Sequence, residues 1–127
     1  MNNQISLCKI YLDNFAIKSS NFYYHSCIHI KNDISKFFDV EIENKAFMAA
    51  AVPMFEHRHM IDEHYLFKLR LIPPNPKIIC IGDEMYNQYA ASLFERNGIF
   101  YKPSHKNGIL AFEQILANNK NQQKTWD

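Results

Sequence analysis

Two short apolar runs, each bordered by a glycine, constrain this chain more than any other feature. Ile78-Ile79-Cys80-Ile81 stops at Gly82, and Ile99-Phe100-Tyr101 begins directly after Asn97-Gly98. An unbroken run with a β-branched bias suits a strand buried on both faces of a parallel sheet. Between the two runs, Tyr86, Tyr89, Ala90 and Leu93 recur at helical spacing and form one apolar stripe. Parallel neighbours cannot be joined by a tight turn, so this segment must cross over as a helix, and the crossover is right-handed. Gly82 permits the turn, Asp83 is placed to cap the helix, and Glu84 lies at its positive end. Asn97-Gly98 is a left-handed stop. A second helix is expected from about Asn107, burying Ile109, Phe112, Ile115 and Leu116. Cys80, set among isoleucines, is expected to be buried and unreactive.

The N-terminal half reads as β-rich. FAIK places Phe15 and Ile17 on one face, NFYYH is aromatic, and CIHI sets Ile28 and Ile30 together with His29 opposite. Ser19-Ser20-Asn21 is turn material, so Phe15 to Ile30 is expected to hold hairpins. Val40 to Glu43 alternates in the same way. Ala46 to Ala51 suits a short helix ended by Pro53. IDEHYLFKLR suits a longer helix, with Asp62 as N-cap and Ile61 and Leu66 spaced for a hydrophobic staple, ended by the prolines at 73, 74 and 76. The expected class is therefore α/β: one three-layer-like domain over residues 1–127, with a mixed sheet, a β-rich first half and a β-α-β-α second half. Residues 118–127 form a polar tail that frays.

Composition narrows the functions open to such a domain. The 14 basic residues nearly balance the 13 acidic ones, so the basic footprint that nucleic acid requires is missing. The longest apolar run, Ala46 to Phe55, is broken by Pro53 and too short to span a bilayer. The opening MNNQISLCKI does not have the pattern of a signal peptide. Cys8, Cys27 and Cys80 form no C-x-x-C pair, which points to reduced thiols and a cytoplasmic protein.

Three arrangements could carry chemistry. A helix start after Gly82 could receive an anion, but the chain has 3 glycines and no phosphate-loop pattern, and Asp83 and Glu84 occupy the place of an anion. The run FEHRHMIDEH offers His57, His59 and His64, with Glu56 and Glu63, to a divalent metal. These could converge only if the chain folds back between Arg58 and Asp62, and a solvated loop is the plainer reading. No metal and no cofactor is expected. Ser104-His105 follows a strand end, a position catalytic groups favour, although neighbouring side chains diverge and Ser104 also suits a cap. His25, His29 and His105 are otherwise scattered.

Against this background FAIKSSNFYYHSCIHI, PPNPKIICIG and ERNGIFYK together resemble a family of small α/β domains. That family includes a mitochondrial assembly factor for respiratory complex I and the adipogenesis-associated domain protein. The likeness spans roughly residues 11–118. Gly82, Asp83 and Glu84 stand where the family often has Gly-Thr-Gly. Ser104, His105 and Lys106 replace its Met-Asp-Thr, and Phe112, Glu113 and Gln114 replace its Thr-Tyr-Asn. The resemblance implies a retained scaffold with a rewritten cleft lined by Gly82, Asp83, Ser104, His105, Lys106 and Gln114. It implies no reaction, only an assembly role in one branch. The expected function is a non-enzymatic binding or assembly module with a protein partner, and homo-oligomerisation is left open. The alternative is a small enzyme using Gly82, Asp83, Ser104, His105 and Lys106.

Overall fold

The computed structural model describes residues 2–72, 78–82 and 88–103. The α/β class is as expected, as are a strand at FAIK and a short helix over Ala46 to Ala51, but the other helices and strands of the first half are not where alternation placed them. The chain opens with helix α1, Asn2–Phe15. Leu7, Cys8, Ile10, Tyr11, Leu12 and Phe15 are all buried, an apolar face wide enough to make α1 the centre of the core. Helix α3, Asn44–Ala51, lies against it through Ala46, Phe47, Ala50 and Ala51. Three of those four are alanines, so the two helix backbones can approach closely. Pro53 follows the last turn, as expected.

Helix α2, Cys27–Phe38, replaces the expected strand at CIHI. The alternation of Ile28 and Ile30 covers only four residues, whereas Cys27, Ile30, Ile34 and Phe38 keep helical spacing over twelve and are all buried. The longer period wins. Asp39 ends α2 at φ 55, and Val40 to Glu43 forms no strand either. The N–H of Val40 donates to the Ser35 carbonyl at 3.2 Å and that of Ile42 to Ser35 Oγ at 3.2 Å. Both are thereby bent back over the helix end.

Within Phe15 to Ile30 only β1, Ala16–Lys18, is extended, and its partner is β4, Leu69–Leu71, rather than the aromatic run that follows. The pairing is antiparallel, with Ile17 opposite Arg70. The helix expected at IDEHYLFKLR is instead a hairpin of β2, His57–Ile61, and β3, His64–Phe67. Asp62 does not cap a helix. It stands at the turn with φ 49, a left-handed conformation that Asp tolerates better than most residues.

The second half follows the glycine-bounded pattern. β5, Ile78–Ile81, and β6, Phe100–Pro103, are parallel neighbours, with Ile79 opposite Tyr101. Helix α4, Gln88–Arg96, lies between them in sequence and buries Ala90, Leu93 and Phe94. Gly98 turns the chain out of α4 at φ 67. The strands described form three separate two-stranded sheets, not one mixed sheet. The expected final helix, the polar tail and the proline stop after Ile72 lie outside the described residues. Among the described residues, no helix is long and apolar enough to cross a membrane.

The Asn14 side chain ties the two halves together. Asn14, in the last turn of α1, receives the backbone N–H of Cys80 at 2.8 Å and donates to the Cys80 carbonyl at 2.8 Å and to the Ile10 carbonyl at 2.7 Å. The halves also meet where Phe38 and Phe94 lie 5.9 Å apart and the Asn97 amide donates to the Phe38 carbonyl at 3.0 Å. Asn14→Ala removes both bonds to β5 and should cost ~1–3 kcal/mol, read as a lower urea midpoint. An unchanged midpoint would remove Asn14 from this role.

The core also predicts an alkaline limit. Burial pushes the Cys8 thiol from 9.0 up to about 12. The Tyr11 phenol rises from 10.0 to about 12, through burial first and then the nearby Asp33 and Tyr23. Folding favours the neutral form of each, so this stability is complete below the unfolded values and is lost as pH rises through the folded ones. Denaturation midpoints should fall between pH 9.0 and about 12, and less steeply in Cys8→Ala. A midpoint flat across that window would contradict the assignment.

Candidate functional site

Of the cleft residues expected from the sequence, the structure describes Gly82, which is half-buried at the end of β5. Asp83, Ser104, His105, Lys106 and Gln114 lie outside the described residues, as does Glu84. Cys80, next to that cleft, departs from expectation. Ile79 and Ile81 point into the core, while Cys80 alternates onto the opposite face and is exposed. β5 is thus buried on one face, and the isoleucine run disguised a half-buried strand.

The histidine run does fold back, at Asp62 and Glu63, yet its imidazoles do not converge. In the ladder His59 stands opposite Tyr65 and His57 opposite Phe67. Strand alternation puts His57, His59, Tyr65 and Phe67 on one face, with His59 stacked on Tyr65 at 4.6 Å. His64 follows the other face, where its Nδ1 meets Ser26 Oγ at 3.0 Å. Among the described residues no group of three metal-ligating side chains forms. His25 and His29, scattered in sequence, do come together, their rings stacked 4.0 Å apart where the chain enters α2.

What the hairpin builds instead is a surface. All five residues of β2 are exposed, with Met60 at 51% and Ile61 at 65%. β3 covers one of its edges, and no described strand pairs with the other. Beside the turn, a groove of about 570 Å³ runs between α3 and the hairpin, lined by Met48, Ala49, Val52, Asp62 and Tyr65. The surface is firmly mounted. The Cys27 thiol donates to the Glu63 carbonyl at 3.1 Å, and burial raises the pKa of that thiol, which keeps it a donor. On the other side Arg58 lies over the Phe22 ring at 4.7 Å, and Lys68 over the same ring at 5.2 Å while bridging Glu56 at 2.8 Å. Reading FEHRHMIDEHYLF with period two instead of 3.6 reveals this surface in the sequence itself.

Three comparisons, against protein families, curated proteins and solved structures, found no match to this chain. The run FAIKSSNFYYHSCIHI, which carries much of the family resemblance, folds as a helix end, one strand, an irregular segment and a helix.

A thiol reagent should label Cys80 in the native protein and leave Cys8 and Cys27 unmodified until unfolding. Mass mapping would count against the assignment if Cys80 stayed protected or if all three reacted together.

Proposed function

We propose that this chain is a non-enzymatic binding module for a protein partner, docked along the open edge of β2 and the groove beside α3. The observation that carries this reading is β2 itself, a strand exposed at every residue, with two large apolar side chains and one backbone edge unpaired by any described strand. An extended segment added to such an edge gains backbone hydrogen bonds, while its alternate side chains find pockets. The groove on the same hairpin, between α3 and the turn into β3, offers a pocket of that kind. Met60 and Ile61 add exposed apolar surface beside that edge. The assembly role implied by the family resemblance is a role of the same class, and the proposal includes it. It also includes a reducing, cytoplasmic setting, supported by three cysteines that are all free thiols.

The test replaces Met60 and Ile61 together by Asp. Both are exposed, so thermal stability should stay within a few degrees of the parent. Partners that co-purify with the parent chain should fall about tenfold or more in the double variant. Equal recovery of the same partners by a folded double variant would rule out this surface.

A further inference from the structure

Between α1, α2 and the end of β4 lies a cavity of about 480 Å³. Its size falls in the range of small-molecule sites, and it is an open groove whose mainly apolar lining carries a few polar groups. The inner wall is aromatic. Tyr11 is 2% exposed and meets Phe37 edge-on at 5.6 Å, with Phe15 packed behind both rings at 5.1 and 5.4 Å. Leu71 and Ile72, at the end of β4, form the facing wall. Tyr23 closes one side, held by its backbone N–H donating to the Phe67 carbonyl at 2.8 Å.

Two opposite charges complete the lining, Asp33 and Lys36 of α2. Residues three apart on a helix share a face, with Cβ atoms about 5–6 Å apart. They do not pair with each other. Among the described residues the one ion pair of Asp33 is with the His29 imidazole, at 3.8 Å, and Lys36 makes none. The Tyr11 and Tyr23 phenols both have raised pKa values, for which burial is the first cause and Asp33 a lesser one. Both are therefore neutral hydroxyls near the Asp33 carboxylate, where a cationic donor would also be favoured. A simple ammonium ion would meet repulsion from Lys36, and a simple carboxylate would meet it from Asp33. A ligand that carries both charges a few ångströms apart satisfies both groups and brings no net charge into the cavity.

We propose that this cavity binds a free zwitterionic amino acid with a large apolar or aromatic side chain. Its ammonium group meets Asp33, its carboxylate meets Lys36, and its side chain lies against Tyr11 and Phe37. The site is independent of the β2 surface.

The test is calorimetric titration of the full chain with L-phenylalanine, L-leucine and L-tryptophan. At least one should saturate a single site. Phenylalaninamide has only the positive charge and N-acetylphenylalanine only the negative one, so each should bind about tenfold more weakly than L-phenylalanine, or worse. L-alanine, lacking the large side chain, should bind weakly as well. Asp33→Asn and Lys36→Met lie at the helix surface, and each should lose about tenfold or more in affinity while melting like the parent. The Met60 and Ile61 double variant should bind the amino acid as the parent does. The proposal falls if none of the three amino acids binds, if Asp33→Asn binds as tightly as the parent, or if L-alanine matches the large side chains. It falls equally if phenylalaninamide matches L-phenylalanine, which would make this an amine site.

Discussion

The hydrogen bonds of Asn14 are the joint on which the two halves of this fold depend. A β-strand edge carries alternating donors and acceptors that want another strand beside them. At Cys80 a single side-chain amide stands in for that strand, accepting the N–H and donating to the carbonyl. Because Asn14 also donates to the Ile10 carbonyl, the amide is locked to α1 before it reaches β5. A helix end thus sets the height at which the β5–α4–β6 unit sits against the helical half. The Phe38–Phe94 contact and the Asn97 bond to Phe38 fix the remaining rotation. Position comes from polar groups here, and adhesion from apolar ones.

The same division explains what could be read from the residues alone. β5 and β6 are marked by local features: an apolar run, a glycine whose φ is positive, and a span too long for a hairpin. Those signals need no distant partner to be interpreted. The first half lacks such punctuation, and there the choice of period decided everything. CIHI alternates over four residues but belongs to a helical series of twelve, and the short pattern masked the long one. At the hairpin the error ran the other way. Asp62 fits a helix cap and a tight turn equally well, and only the ladder of His57 and His59 against Phe67 and Tyr65 separates the two.

The chemistry-bearing residues were legible in part for a related reason. The His57, His59 and His64 cluster was visible as composition, yet its convergence depended on strand parity, which sends His64 to the opposite face. The Asp33 and Lys36 pair carries no motif at all. It becomes meaningful only when Tyr11 from α1 and Leu71 from β4 enclose the same space, and that meeting spans sixty residues of chain. Gly82 alone represents the expected cleft among the described residues.

The placement of Arg58 on β2 has a consequence for how copies of this chain treat one another. An open strand edge is a template for any backbone, including that of an identical molecule. In-register stacking of identical strands, the arrangement of fibrils, would set Arg58 directly upon Arg58 along the whole stack. Like charges opposite one another oppose strand pairing. Arg58 cannot simply swing clear without leaving the Phe22 ring at 4.7 Å. The irregular register between His59 and Ile61 further spoils the even spacing that a growing stack requires. This edge, unpaired by any described strand, is therefore poorly matched to endless repetition of itself.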